Sequence, residues 1–282
     1  MTQSATPASA KWGDLGVRTL SAAVLVPAVM LDVWAGGVWF ELFIALICVL
    51  MAREWVTLTH SGDDRQFALH AAAAMAGAFV PSVVTIWPAL VAVGVIWAVS
   101  VLLIMMKGGK TTMWSWLGVP YVSLPAIALV ILRADPTKGL LAIIWVLVIV
   151  WSADICAFFA GRIIGGPKLA PVLSPKKTWA GLGGAVAGSA VASALVGSFA
   201  GLPSVFVLAV VAGVLAVVEQ GGDLFKSAWK RHFGVKDSGR LIPGHGGVID
   251  RVDGLVAVAM AAALIGIARG FAAGPAQGLL AW

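Results

Sequence analysis

The segment 222–253 concentrates residue types that bind phosphate and a divalent cation. Asp223 and Asp250 lie near its two ends, each next to an apolar stretch, so the chain can fold back and bring the carboxylates together. Mg²⁺ typically takes one or two carboxylates and completes its shell with water and substrate phosphates, and the glycines of 244–247 let backbone N–H groups approach a phosphate. The segment therefore predicts a Mg²⁺ site with Asp223 and Asp250 as ligands, with or without a second cation. The lone His245 in this glycine-rich turn indicates a hydrogen-bond partner rather than a metal ligand.

A second group of polar residues lies upstream, around the end of one apolar stretch and the start of the next. Asp154 and Arg162 are two helical turns apart, so they can share one face of a helix. Ser174 and Thr178 precede the next apolar stretch and predict a capped helix start, where free N–H groups bind phosphate. A basic segment that contacts anionic lipid is the alternative interpretation of this group.

The elements that hold these groups must cross a membrane. Hydrophobic residues make up 60% of the 282-residue chain and charged residues 11%, and the mean hydropathy is +0.98. Soluble domains carry about 25% charged residues to cover their surface. A bilayer span needs about 20 mostly apolar residues, and this criterion predicts an all-α polytopic membrane helix bundle of about nine transmembrane helices. Their approximate ranges are 18–34, 38–58, 68–87, 88–106, 113–132, 139–161, 178–199, 204–220 and 255–271.

The basic residues predict the orientation of this bundle. With the N-terminus in the cytoplasm, all 19 Lys and Arg residues except Arg133, Lys138 and Arg269 lie on the cytoplasmic side. Cytoplasmic loops carry an excess of Lys and Arg, so we expect an integral protein of the inner (cytoplasmic) membrane whose active site faces the cytoplasm. The predicted organisation is a cytoplasmic N-terminal segment (1–17), N-terminal transmembrane helices (18–150) and a C-terminal transmembrane catalytic region (151–282) that contains the signature segment 222–253.

Two features of the spans have ordinary packing interpretations. Gly184 and Gly188 are four residues apart in the seventh span, and such pairs let helices approach closely in lipid. Packing within the bundle is our interpretation, and a homodimer contact is the alternative. Acidic residues in spans are candidates for function, but Asp32, Glu41 and Glu54 lie near span ends beside Trp residues. For these three we expect interfacial placement or local pairing.

Two blocks of motif residues cover about 152–253 of the chain. The downstream block is Ser227-x-x-Lys230-Arg231, Lys236-Asp237, Pro243-x-His245-Gly246-Gly247 and Asp250-Arg251-x-Asp253. The upstream block is Asp154-x-x-Ala157-Phe158, Gly161-Arg162 and Ser174-Pro175-Lys176-Lys177-Thr178-Trp179. In this order and spacing they resemble the signature of the phosphatidate cytidylyltransferase (CDP-diacylglycerol synthase) family. Two positions depart from the family pattern: Ala180 stands where Glu is usual, and Gly254 where Ser is common.

The resemblance implies a Mg²⁺-dependent nucleotidyltransferase of phospholipid biosynthesis, which transfers CMP from CTP to phosphatidate and releases pyrophosphate. It implies Asp223 and Asp250 as catalytic, metal-binding carboxylates, and Lys230 and Arg231 as further catalytic residues. The substrate-binding residues that it suggests are Asp154, Arg162, Ser174, Lys177, Thr178, Ser227, Lys236, Asp237, His245, Gly246, Gly247, Arg251 and Asp253. The partners that we expect are CTP, phosphatidate and the lipid bilayer, with no nucleic acid.

The implied reaction suits this set of residues, although two alternatives are open at this point. A phosphate monoester has a second pKa of about 6, so the lipid nucleophile is already ionised at neutral pH and needs no general base. The barrier is repulsion between two anions, which metal ions and basic side chains reduce. A CTP-dependent lipid kinase would instead need Asp154 or Asp237 as a base. A secondary transporter of an anionic solute would explain the spans but not the clustered phosphate-binding residue types.

Overall fold

The computed structural model describes residues 26–108, 112–239, 246–270 and 273–282. The predicted cytoplasmic segment 1–17, the start of the first predicted span and His245 lie outside these residues. The elements within them are α1 (Val26–Ala35), α2 (Gly37–Thr59), α3 (Asp64–Val83), α4 (Ile86–Met106), α5 (Met113–Arg133), α6 (Gly139–Ile163), β1 (Lys168–Ala170), β2 (Ser174–Thr178), α7 (Trp179–Phe199), α8 (Val205–His232), α9 (Ile249–Arg269) and α10 (Pro275–Leu280).

The described helices confirm the prediction of an all-α polytopic membrane bundle. Eight of them, α2 to α9, are long and apolar enough to cross a bilayer. Helix α1 is shorter in its described part and falls within the first of the nine predicted spans. The predicted count therefore fits the eight long helices together with α1. Helix α5 is the most buried of the eight, and α2, α3, α4, α6 and α9 pack against it.

The polar segment predicted between the last two spans is largely helical. Helix α8 does not end at Gln220 but continues to His232, and α9 begins at Ile249 rather than near residue 255. Reading 222–253 as one long connection was therefore wrong. A hydropathy criterion ends a span at the first charged residues, whereas here the charged residues continue the helix because they find partners inside the bundle.

The ends of these two helices agree with helix electrostatics. The last turn of α8 carries Lys230, Arg231 and His232, and the first turn of α9 carries Asp250. Cations are favourable at the negative C-terminal end of a helix dipole, and anions at the positive N-terminal end. In the sequence, these charged residues are typical of a loop. In the structure they stabilise the ends of two helices.

The segment between α6 and α7 is a β-hairpin rather than the basic loop that the sequence predicted. Strand β1 pairs antiparallel with β2, with Lys168 opposite Thr178. Thr178 ends β2 and also caps α7, because its hydroxyl oxygen accepts a hydrogen bond from the Gly181 N–H at 3.1 Å. The predicted capped start of this helix is thereby confirmed, and the hairpin fixes its basic residues relative to α6 and α8.

The glycine pair of α7 packs inside the bundle. A Cβ atom on Gly184 would lie 2.4 Å from the Cβ of Ala160, and one on Gly188 would lie 2.3 Å from the Sγ of Cys156. Both neighbours belong to α6, so only glycine allows the two helices to approach this closely. This confirms the packing interpretation, and a homodimer stays a prediction.

Stacked aromatic side chains join the N-terminal helices to α8. The rings of Trp55 on α2 and Trp229 on α8 are parallel within 7°, with centroids 4.5 Å apart. Tyr121 on α5 contacts both Trp55, at 4.8 Å, and Phe225 on α8, at 5.7 Å. The Trp229 indole N–H also donates to the Thr59 hydroxyl at 3.1 Å. This stack holds the C-terminal half of α8 in a fixed position against α2 and α5.

Candidate active site

One buried ammonium group lies among three carboxylates where α8 meets α9. Lys226 is only 7% exposed. Its Nζ lies 2.8 Å from Asp223 Oδ1, 2.5 Å from Asp253 Oδ2 and 3.9 Å from Asp250 Oδ1. We call Asp223, Asp250 and Asp253 the aspartate cluster. The structure therefore brings together the two aspartates, Asp223 and Asp250, that the sequence placed at the two ends of one segment.

Two glycines allow α8 and α9 to meet at the cluster. A Cβ atom on Gly222 would lie 2.7 Å from the Cβ of Ala257, and one on Gly254 would lie 2.8 Å from Glu219 Oε1. Larger residues would push the helices apart and separate their carboxylates. The close contact with Glu219 also gives a physical reason for glycine at position 254, where the sequence departs from the family pattern.

Two further lysines pair with the aspartate cluster. Lys177, at the end of β2, places its Nζ 2.6 Å from Asp223 Oδ2 and donates to Gln220 Oε1 at 2.7 Å. Lys230, one turn beyond Lys226 on α8, forms an ion pair with Asp250. Ion pairs taken out of water are costly to break, because the remaining charge has no partner. The three lysines thus let three carboxylates lie together between apolar helices.

Glu54 on α2 binds the start of α9. Its side chain is buried, with 4% exposed. Oε1 accepts from the Val248 N–H at 2.7 Å, and Oε2 accepts from the Ile249 N–H at 3.0 Å. The first N–H groups of a helix lack partners within the helix, and the helix dipole favours an anion there. The expectation of interfacial placement or local pairing is therefore wrong for Glu54, which holds a helix that is distant in sequence.

The same network fixes the Asp250 carboxylate. Asp250 Oδ2 accepts from the Ser238 N–H at 2.8 Å and from the Gly247 N–H at 3.3 Å. The Ser238 hydroxyl lies 2.8 Å from Glu54 Oε2 and 3.0 Å from Asp250 Oδ2, so it links the two acids. A Cβ atom on Gly247 would lie 2.1 Å from that hydroxyl oxygen. The sequence predicted that this glycine binds phosphate. In the structure its N–H donates a hydrogen bond to the Asp250 carboxylate.

A basic cavity of about 410 Å³ adjoins the cluster. It lies between α6, the hairpin, α7 and α8, and we call it the basic cavity. Its polar lining consists of Asp154, Arg162, Lys176, Lys177, Thr178 and Gln220. Asp154 and Arg162 therefore do face one space, as their helical spacing predicted. Three basic side chains and a capped helix start suit this cavity to a phosphate-bearing anion.

Some predicted residues lie at the edge of this arrangement. Arg231 is exposed, and its guanidinium donates to the Val235 carbonyl at 3.3 Å, at the end of α8. Lys236 and Asp237 are exposed in the connection that follows. Gly246 has a φ of +80°, a conformation that favours glycine. The remaining described positions are Ser174 at the start of β2, Ser227 on α8 and Arg251 in the first turn of α9.

Two central residues were not assigned a site role from the sequence. Lys226 stands three residues after Asp223, which is the spacing of a helical ion pair, but the sequence alone did not extend α8 that far. Glu54 was recognisable as an acid near a span end, where such groups are functional candidates. Its partners lie almost 200 positions away in sequence, so no local pattern identifies them.

The aspartate cluster has the right donor atoms for Mg²⁺. Within the described part of the chain, no three Asp, Glu, His or Cys side chains enclose a metal ion by themselves. The cluster offers carboxylate oxygens alone, and Asp223 and Asp253 lie on the same ammonium group, that of Lys226. Two carboxylates this close repel unless a cation or proton lies between them. Carboxylates supplemented by water and substrate phosphates are the usual surroundings of Mg²⁺ in proteins.

The fold and the site define a polytopic membrane protein with a carboxylate centre beside a basic cavity. Residues 16–267 match the model of the Cytidylyltransferase family. A Brucella suis protein named phosphatidate cytidylyltransferase is 40% identical over 255 residues, which cover 90% of this chain and 93% of that protein. The chain therefore belongs to the cytidylyltransferase family.

More distant relatives have the same name. A phosphatidate cytidylyltransferase from Rickettsia bellii is 30% identical over 257 residues, which cover 87% of this chain and 88% of that protein. One from Staphylococcus epidermidis is 30% identical over 247 residues, which cover 86% of this chain and 95% of that protein. The similarity thus spans both the N-terminal helices and the charged centre.

We expect Glu54→Gln to loosen the start of α9. The amide keeps one acceptor oxygen but turns an NH₂ group toward a backbone N–H, which leaves a buried donor without a partner at a cost of about 1–3 kcal/mol. Hydrogen exchange of the amides of Val248 and Ile249 should accelerate in detergent. Glu41→Gln is the matched control, because Glu41 lies near the opposite end of the same helix. Equal exchange in both variants would contradict the role of Glu54.

Lys226→Met should destabilise the protein by about 3–5 kcal/mol, because three carboxylates that are only 8–24% exposed lose their shared cation. Denaturant unfolding in mixed micelles measures the loss. Lys107→Met serves as the control, because Lys107 pairs with Asp63 at the surface, where an ion pair contributes about 0–1 kcal/mol. Adding Asp253→Asn to Lys226→Met should restore part of the stability. A Lys226→Met protein as stable as the Lys107→Met protein would refute the buried-ammonium account.

Proposed function

We propose that this protein transfers CMP from CTP to phosphatidate. A phosphate oxygen of the lipid bonds to the α-phosphorus of CTP, the bond to the bridging oxygen breaks, and pyrophosphate leaves with that oxygen. The products are CDP-diacylglycerol and pyrophosphate. The observation that supports this most is the aspartate cluster with its three lysines, one of which, Lys177, also lines the basic cavity, in a chain 40% identical to a phosphatidate cytidylyltransferase. The lipid kinase and transporter alternatives gain no support from the family or its relatives.

The side chains of the basic cavity suit the triphosphate of CTP. Arg162 and Lys176 line it as exposed cations, and Lys177 reaches from it to Asp223. These groups offset the charge of the bound triphosphate and of the departing pyrophosphate, which is the main electrostatic demand of the reaction. The lipid phosphate is ionised near neutral pH, so the chain needs to orient this nucleophile rather than deprotonate it.

We infer that Asp223 and Asp250 hold Mg²⁺, with Asp253 beside them. When bound, the ion would neutralise phosphate oxygens and stabilise the leaving group. The orientation of the Asp250 carboxylate is already fixed, because the Ser238 and Gly247 N–H groups donate to one of its oxygens. Lys226 and Lys230 form ion pairs with Asp253 and Asp250 and so keep these carboxylates close together.

The proposed location is the inner membrane, with the site at the cytoplasmic surface. The distribution of Lys and Arg along the chain supports this orientation. The chemistry agrees with it, since CTP is water-soluble and phosphatidate reaches the protein by moving within the bilayer.

The reaction is tested with CTP labelled at either the α- or the γ-phosphate. Incubation with phosphatidate should transfer the α-label to lipid and leave the γ-label in pyrophosphate. Asp223→Asn and Asp250→Asn should lower kcat by about a hundredfold or more, since charge stabilisation of the transition state is lost. Lys107→Ala, which lies outside the site, should match the wild type. Lipid that acquires the γ-label would identify a kinase, and lipid without either label would rule out both transfers.

Mg²⁺ binding has a readout that does not depend on activity. A ligand that binds only the folded protein raises its stability by RT ln(1 + [L]/Kd), or about 2.7 kcal/mol at a hundred times Kd. The Tm of the detergent-solubilised protein should therefore rise with Mg²⁺ concentration, and Asp250→Asn should abolish the rise. The same rise in this variant would place the ion elsewhere.

A further inference from the structure

Three side chains on one face of α6 line the basic cavity. Asp154, Phe158 and Arg162 follow one another at four-residue spacing, so each lies about one helical turn beyond the last, and all three border the cavity. Each of them is exposed, the Phe158 side chain by 58%. The Arg162 guanidinium lies 5.8 Å from the centroid of the Phe158 ring. A carboxylate, an aromatic ring and a cation thus follow one another over about 12 Å of the helix, and we call these three residues the α6 strip.

The triphosphate of CTP accounts for only part of the lining of the basic cavity. The basic side chains and the capped start of α7 suit phosphates. The cavity also has an apolar wall, formed by Ala157, Phe158 and Leu182, which gives no advantage to a charged group. An aromatic side chain instead offers a flat surface on which a nucleobase can stack. The apolar wall therefore fits the flat part of CTP, which is its base.

We propose that the α6 strip selects the cytosine base of CTP. The base stacks on Phe158, and the Asp154 carboxylate accepts a hydrogen bond from its 4-amino group. This inference rests on the proposed function. Arg162, at the other end of the strip, then lies beside the phosphates. Lys177, which lines the same cavity and pairs with Asp223, lies beside the α-phosphate.

The position of Asp154 suits it to distinguish one base from another. It lies one helical turn from Phe158, so its carboxylate meets the edge of a ring that stacks on Phe158 rather than the face of that ring. The edge is where the bases differ: cytosine has an amino group, a donor, where uracil has a carbonyl oxygen, an acceptor. An ionised carboxylate accepts hydrogen bonds and donates none. Asp154 therefore attracts cytosine and repels uracil.

Asp154→Asn tests the assignment. The amide keeps an acceptor oxygen but adds an NH₂ donor, which can pair with the carbonyl oxygen of uracil. The ratio of kcat/KM for CTP to kcat/KM for UTP, with phosphatidate as acceptor, should fall by about tenfold or more. Asp64→Asn is the matched control and should keep the wild-type ratio, because Asp64 is a 93% exposed aspartate at the start of α3. A fall of both values by the same factor would indicate a metal-binding or structural role and overturn the proposal.

Phe158→Ala tests the stacking contact. The KM for CTP should rise by at least about fivefold, because base stacking on the aromatic ring is lost. Phe158→Trp should restore a value near that of the wild type, and the KM for phosphatidate should stay within about twofold in both variants. Phe206→Ala is the matched control, because it removes an 80% exposed phenylalanine near the start of α8, at the far end of that helix from Asp223. A KM for CTP that is unchanged in Phe158→Ala would contradict the stacking contact.

Nucleotide binding to the unsubstituted protein gives a measurement that does not depend on how a variant folds. With Mg²⁺ present, the Tm of the detergent-solubilised protein should rise with CTP concentration, because a ligand that binds only the folded protein stabilises it. The 2-pyrimidinone ribonucleoside triphosphate, which is CTP without the amino group, should need a concentration about tenfold higher or more for the same rise. Equal responses to the two nucleotides would overturn the role of Asp154. Failure of the proposed function is distinguishable, because the wild-type protein would then transfer no CMP to phosphatidate in the labelling assay.

Discussion

The buried ammonium of Lys226 is the interaction on which the arrangement of the site depends. Three carboxylates within reach of one another and only 8–24% exposed would repel strongly, because little water is present to screen them. Lys226 contacts all three, and Lys177 and Lys230 each neutralise one more oxygen. The cost of burying these charges is offset only while all of them are present. The site is therefore a balanced set of charges, and a metal ion that binds the aspartates would have to displace lysine ammonium groups from them.

The N-terminal helices hold the aspartate cluster in position, although they are distant from it in sequence. Glu54 on α2 binds the first N–H groups of α9 and, through Ser238, the Asp250 carboxylate. The stack of Trp55 on Trp229 holds α8 against α2. The similarity to the family includes the first half of the chain, and the structure shows that this half positions the two helices that carry the aspartates.

Much of the architecture was predictable because it follows from local physical rules. Apolar stretches of sufficient length gave the spans, Thr178 was recognisable as a helix cap, and Asp223 and Asp250 were recognisable as a pair because a fold-back could join them. The continuation of α8 through Lys226 was not predictable from hydropathy, which treats each charge as an exposed group. The role of Glu54 was hidden for a related reason, since its partners are backbone N–H groups brought to it by tertiary folding.

Crystals grown with Mn²⁺ in place of Mg²⁺ test the central claim most directly, because the anomalous signal of manganese locates the ion without reference to activity. The account predicts a peak within bonding distance of Asp223 and Asp250 carboxylate oxygens, with the Lys226 ammonium no longer between them. A peak remote from the aspartate cluster, or no peak at saturating Mn²⁺, would contradict it.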